Sequence, residues 1–223
     1  MVDSFTIIDL IAASTNAFMG ALLALSPSHN RKYTIVGIIL LGIAGGIGGG
    51  VTRDIILNKI PGAFENPLYI ILCILAGTLA LAIAYSTGPR IKLGTFKFIA
   101  AFSLPWYSAV GVQAALTAGL VFFPSILIGI IASTAGRLII DVCSGVTPLQ
   151  FVKGEWFVGT AALASTVYYI CYAAGLSIWP ATLIAFAIGF TFRITSMSKR
   201  WEEPDPWESR EVKQKEKKEA HSV

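Results

Sequence analysis

Asp9, Arg53, Asp54, Arg137 and Asp141 are charged side chains that lie in or against apolar stretches of this 223-residue chain. A charge placed in hydrocarbon costs at least about 2.5 kcal/mol on insertion scales, so each of these marks a pairing or functional position. Arg137 and Asp141 stand four residues apart, on one helix face and within reach of an ion pair. Arg53 and Asp54 are adjacent and diverge around the helix, so each is expected to find a partner elsewhere. Pairing across the repeats, Arg53 with Asp141 or Arg137 with Asp54, is one way to satisfy all four. Asp9, near the N-terminal end of its stretch, reads as interfacial.

Each Arg–Asp set follows a run of small residues, and the two runs are copies of one pattern. GIILLGIAGGIGGGVTRDIILNKIP extends from Gly37 to Pro61, and PSILIGIIASTAGRLIIDVCSGVTP from Pro124 to Pro148. An offset of 87 lays Gly42 on Gly129, Gly49 on Gly136, Asp54 on Asp141 and Pro61 on Pro148. Gly45, Gly46, Gly48, Gly49 and Gly50 strip side chains from nearly two turns, which weakens a helix and lets another backbone approach. If the helix breaks there, freed carbonyls can receive a cation, and the N–H groups around Val51 and Thr52 an anionic group. Such groups must be buried in protein or line water. The competing reading is close packing, because Gly42, Gly46 and Gly50 are spaced four apart, as are Gly45 and Gly49. In the second copy Ser133, Thr134, Ala135 and Gly136 keep the small size and add hydroxyls, which suits a weakly coordinating cation path. Paired interruptions in two halves of a membrane protein point to a solute or ion path. Asn16 with Gly20, and Ser103 with Gln113, add polar and small positions in the first and fourth apolar stretches. An Arg on its flexible stem reads as a movable obstruction beside such a path.

These residues must be held by membrane-spanning helices. Hydrophobic residues make up 55% of the chain and charged residues 13%, with a mean hydropathy of +0.70. A soluble domain carries about 25% charge. Seven apolar stretches are expected to span, at 5–25, 33–60, 67–86, 97–117, 122–147, 156–174 and 178–197. The second and fifth are too long for one straight span: about 28 helical residues reach ~42 Å against a core of ~30 Å. They are expected to tilt, bend or break at the glycines, and Pro105 predicts a kink in the fourth. Arg31, Lys32, Arg90, Lys92, Lys97, Lys153 and the basic residues of the tail all fall on one side of a seven-span layout. The positive-inside rule then places the N-terminus outside and the C-terminus in the cytoplasm of a multi-pass cell-membrane protein. Three spans, three more and one is the natural division: a first repeat over 1–90, a second over 91–175, a seventh helix over 176–198 and a tail over 199–223. Because three is odd, the second repeat enters the membrane inverted. The tail holds seven basic and seven acidic residues, with Pro204 and Pro206 opposing a continuing helix, and reads as solvated.

Soluble-enzyme chemistry is not expected. The chain has no GxxxxGK[ST] phosphate loop, no GxSxG elbow and no HExxH pair. Cys73, Cys143 and Cys171 show no metal-ligand spacing and read as small buried hydrophobes. The first stretch lacks a basic n-region and a small-residue cleavage site, so it reads as a retained span. No cofactor, metal or nucleic-acid partner is expected.

The segment GGIGGGVTRDIILNKIP, with its degraded copy STAGRLIIDVCSGVTP, resembles the bacterial and archaeal relatives of the trimeric intracellular cation (TRIC) channels. The resemblance covers residues 5–197. It implies a homotrimer in the bilayer with an ion path through each protomer, lined by the second and fifth helices and parts of the first and fourth. It also implies permeation of monovalent cations, potassium with sodium. One departure is visible: Arg137 falls where Gly50 stands in the first copy, and Ile140 takes the place of Arg53.

The expectation is therefore an all-α membrane protein of seven helices, arranged as 3+3 inverted repeats plus one, acting as a passive monovalent-cation channel. Gly45, Gly46, Gly48, Gly49, Gly50, Thr52, Ser133, Thr134, Gly136, Asn16 and Ser103 are its candidate path residues, and Arg53, Asp54, Arg137 and Asp141 its candidate gating or charge-pairing residues. The alternatives are a secondary transporter of a small zwitterion such as glycine, holding ammonium on carbonyls and carboxylate on N–H groups, and a scaffold whose glycines serve assembly alone.

Overall fold

Hydropathy alone divides the chain where the helices fall. The computed structural model describes residues 4–25, 33–87, 93–154 and 156–203. Its seven long helices are α1 (Ser4–Ala24), α2 (Ile35–Ile56), α4 (Leu68–Thr87), α5 (Leu93–Thr117), α6 (Phe122–Cys143), α7 (Phe157–Ala173) and α8 (Ile178–Ser198). A one-turn helix, α3 (Gly62–Glu65), follows α2, and a 3-10 turn (Leu149–Phe151) follows α6. Ser4–Ala24, Ile35–Ile56, Leu68–Ser86, Phe122–Cys143 and Ile178–Ser198 are long and apolar enough to cross a membrane, and Phe157–Ala173 is a shorter apolar helix. The chain is a multi-pass membrane protein. Arg31, Lys32, Arg90, Lys92 and the tail from Pro204 onward, on which the expected orientation leans, lie outside the described residues.

The expected interruption of the second and fifth spans is corrected: α2 is helical at every residue from 35 to 56, and α6 from 122 to 143. At 22 residues each, they reach about 33 Å, enough for a hydrocarbon core without excess. The magnitudes explain why the glycines do not break them. Glycine costs a helix roughly 1 kcal/mol per residue, whereas an unpaired backbone group in hydrocarbon costs several. α5 runs from Leu93 to Thr117 with Pro105 inside it.

The surplus apolar residues form matched helix ends instead. After α2, Leu57 N–H donates to Arg53 O and Lys59 N–H to Asp54 O, with Asn58 at φ 53°. After α6, Ser144 N–H donates to Ile140 O and Val146 N–H to Asp141 O, with Gly145 at φ 67°. Both are left-handed C-terminal caps that satisfy the last carbonyls. The chain then returns to the same aspartate. Gly62 N–H donates to Asp54 Oδ2 at 3.1 Å and Leu149 N–H to Asp141 Oδ2 at 3.2 Å, eight residues on in each case.

The glycines close the bundle. A methyl on Gly49 would meet the carbonyl of Ala132, and one on Gly136 the carbonyl of Gly45. The pairs 45–136 and 49–132 run in opposite directions, so α2 and α6 cross antiparallel. The offset of 87 carries 45 to 132 and 49 to 136, so each contact is the image of the other. A second matched contact joins each repeat's first two helices. Gly42 meets Ala17 O and Gly20 meets Leu41 O, as Gly129 meets Ser108 O and Gly111 meets Ile128 O. α1, α2 and α4 pack together, as do α5, α6 and α7; α2–α6 and α1–α5 contacts join the halves, and α8 rests on α7 and α5. The three-plus-three inverted arrangement with one added helix is therefore visible in individual backbone contacts.

Gly49→Ala forces its methyl into a backbone carbonyl, an overpacking cost of about 1–3 kcal/mol. Gly154, whose added methyl would meet nothing nearer than 3.9 Å, is the control. Thermal unfolding of the purified protein is expected to shift down for Gly49→Ala and to stay in place for Gly154→Ala.

Candidate functional site

The C-terminal turn of α2 brings Arg53 and Asp54 against Asp9 of α1, and all three are buried. The Arg53 guanidinium donates to Asp9 through both terminal nitrogens (3.2 and 3.1 Å), and to Asp54 through Nε (2.7 Å) and a terminal nitrogen (3.1 Å). Tyr69 of α4 donates its hydroxyl to Asp9 Oδ2 at 2.9 Å, and Phe5 lies under the guanidinium carbon at 5.6 Å. Two expectations are corrected. Arg53 pairs with its neighbour Asp54 and with Asp9, not with Asp141, because the long guanidinium fork folds back and bridges two carboxylates. Asp9 is not a solvated charge at the end of its stretch: it is 2% exposed and part of the cluster.

In the second repeat the pairing is within one helix. Arg137 Nε donates to Asp141 Oδ1 at 2.7 Å; Asp141 is fully buried and the Arg137 side chain 21% exposed. The two arginines are therefore held differently. Arg53 is fixed by four charge-assisted bonds, Arg137 by one.

Two cavities flank the α2–α6 crossing. A vestibule of about 430 Å³ is lined by Asp9, Arg53, Asp54, Lys59, Glu65 and Tyr69, with the C-terminal turns of α5 on its far wall. Three carboxylates against two cationic groups leave it one net negative charge, which raises the local concentration of cations. The second cavity, about 40 Å³, is lined by Asn16, Gly45, Ser103, Ser133, Arg137 and Ile140 among others. The two share no lining residue. A pocket of about 10 Å³ adjoins the vestibule, sharing Asp9, Arg53, Asp54 and Tyr69 with it, and also contains Gly50 and Tyr107. Tyr107 donates to Gly46 O at 3.3 Å, and its hydroxyl sits 2.8 Å from where a methyl on Gly50 would lie.

The remaining candidates divide by environment. Gly46 packs on Cys73 and Ala13, Gly48 on Ile139, and Gly49 and Gly136 at the crossing. Thr52 donates to Gly48 O and Thr134 to Ile130 O, each within its own helix, while the Thr134 carbonyl accepts from the Gln150 side chain at 2.8 Å. Ser133 also donates to its own helix, at Gly129 O. Tyr69, Tyr107 and Ile140 were not singled out as site residues from sequence, since aromatic and aliphatic residues in apolar spans look like lipid contacts.

The model of a family described as "glycine transporter" matches residues 6–85 and 97–173, most of the chain. The chain belongs to this family. Its fold is that of the TRIC channels, as the GGIGGGVTRD run suggested. A structure from work on conductance through TRIC cation channels superposes with a TM-score of 0.77 at 25% identity, covering 93% of this chain and 99% of that one. The TRIC orthologue of Rhodobacter sphaeroides superposes with a TM-score of 0.76 at 24% identity, covering 87% and 97%. A relative described as a UPF0126 membrane protein, from Deinococcus radiodurans, is 24% identical over 159 residues, 70% of this chain and 71% of its own.

Removing one member of a buried ion cluster costs about 3–5 kcal/mol, because the remaining charges lose their partner. Arg53→Leu leaves Asp9 and Asp54 facing each other, and is expected to lower the thermal midpoint far more than Lys59→Ala, whose side chain is exposed. Equal midpoints for the two variants would contradict the cluster's structural weight.

Proposed function

We propose that this chain is a passive channel for monovalent cations, potassium with sodium, with a separate path inside each protomer of a homotrimer. The observation that carries the reading is a pair of cavities inside one protomer, on either side of the antiparallel glycine crossing, with the net negative one as the wide mouth. The path runs from the vestibule past Gly50 and Tyr107 to the cavity of Asn16, Ser103, Ser133 and Arg137. The crossing is closed in this conformation, and conduction requires it to loosen. Arg137, held by one bond, is the movable charge; Arg53 is too firmly held to swing. The N-terminus and the vestibule face outside and the C-terminus the cytoplasm, a reading supported by the basic loops and tail. With no ring of unpaired carboxylates along the path, discrimination between potassium and sodium is weak.

The family's description favours a second reading, uptake of glycine. A zwitterion would place its carboxylate at Lys59 and its ammonium at Glu65, both on the vestibule wall.

Purified protein in a planar bilayer across a potassium chloride gradient decides between them. Discrete currents reversing near the potassium equilibrium potential, with sodium carried almost as well, are expected for the channel. Arg137→Gln is expected to raise open probability. A silent bilayer with saturable glycine uptake in liposomes establishes the transporter instead.

A further inference from the structure

The two repeats differ at the position that faces the crossing from the last turns of their second helices. In the first repeat it is Arg53, turned towards the vestibule; the offset of 87 puts Ile140 there in the second. Ile140 is 2% exposed. Its Cδ1 lies 2.7 Å from where a methyl on Gly45 would stand and 3.0 Å from one on Gly20. It therefore reaches across into notches that two absent side chains leave on α2 and α1. The cavity it lines interleaves polar residues, Asn16, Ser103, Ser133 and Arg137, with apolar ones, Met19, Leu23, Leu104 and Phe157. At about 40 Å³ it exceeds the roughly 10–15 Å³ needed to hold a water, so it has room for water.

We propose that Ile140 is an apolar plug that closes this cavity against the α2–α6 crossing, so that its side chain sets how readily the path fills with water. The proposal rests on the channel reading. An apolar constriction gates by dewetting, and neither a charge nor a large motion is needed to hold it shut. Glycine at 20 and 45 gives the plug its seat, a role these two residues hold in addition to their backbone contacts with Leu41 and Gly136.

Val and Thr are nearly equal in volume and both lack the Cδ1 that fills the notches, but Thr adds a hydroxyl. Ile140→Val and Ile140→Thr therefore separate wetting from packing. Ile139 supplies a matched control, because its Cδ1 lies 2.8 Å from a methyl placed on Gly48 while it lines none of the three cavities described. The experiment is single-channel recording in symmetric potassium chloride, with thermal unfolding of each variant alongside. Open probability is expected to rise severalfold for Ile140→Val and further for Ile140→Thr, with Ile139→Val and Ile139→Thr like wild type. Unchanged or lost conduction in the Ile140 variants overturns the plug, as does an equal rise in Val and Thr variants at both positions. Absence of current from folded wild type and every variant overturns the channel reading itself, and the plug with it.

Discussion

The structure depends on one constraint: a backbone in hydrocarbon must hydrogen-bond to itself. It keeps α2 helical through Gly45, Gly46, Gly48, Gly49 and Gly50, where propensity alone would favour a break. Once the helix holds, the missing side chains become shape rather than disorder. α2 presents a bare face, and α6 approaches it until the Ala132 carbonyl occupies the space a methyl on Gly49 would take. The crossing organises the rest. It brings the repeats together antiparallel, separates the two cavities and fixes the ends of α2 and α6 where Asp54 and Asp141 hold the returning chain.

Electrostatics then distinguish halves that the backbone makes alike. The aspartates keep equivalent places and bonds, each accepting an amide eight residues on. The arginines do not. Arg53 is enclosed by two carboxylates and a phenyl ring, so its charge is compensated twice over and its position is fixed. Arg137, one turn earlier in its repeat, keeps a single carboxylate and one-fifth of its side chain exposed. The inverted repeats therefore carry a net negative vestibule at one end and, at the other, an arginine paired with a single carboxylate.

Much of this was legible in the sequence. All seven helices lie within a few residues of the expected stretches, because spans of uniform hydropathy leave little choice. The offset of 87 was also visible, and the contacts 45–136 and 49–132 show what it means in space. Helix continuity was misread because a glycine run weakens a helix in water more decisively than in a bilayer. The Arg53 pairing was misread because Asp9 is 44 residues away, and only the α1–α2 packing brings them together. Tyr69 and Tyr107 left no local signal, since a tyrosine in an apolar helix becomes a hydrogen-bond donor to the site only through its neighbours.

The spacing of the crossing also limits how it can move. The close contacts lie four residues apart on both helices. A shift of one turn, about 5.4 Å, in one direction would set Ile140 against Gly45 and Arg53 against Ala132. A shift in the other direction would press Leu41 on Gly136. Neither bulk fits where backbone now meets backbone, so translation along the helix axes is sterically barred in both directions. The remaining freedom is a pivot about the contact point, in which the ends of α2 and α6 swing while their register stays locked.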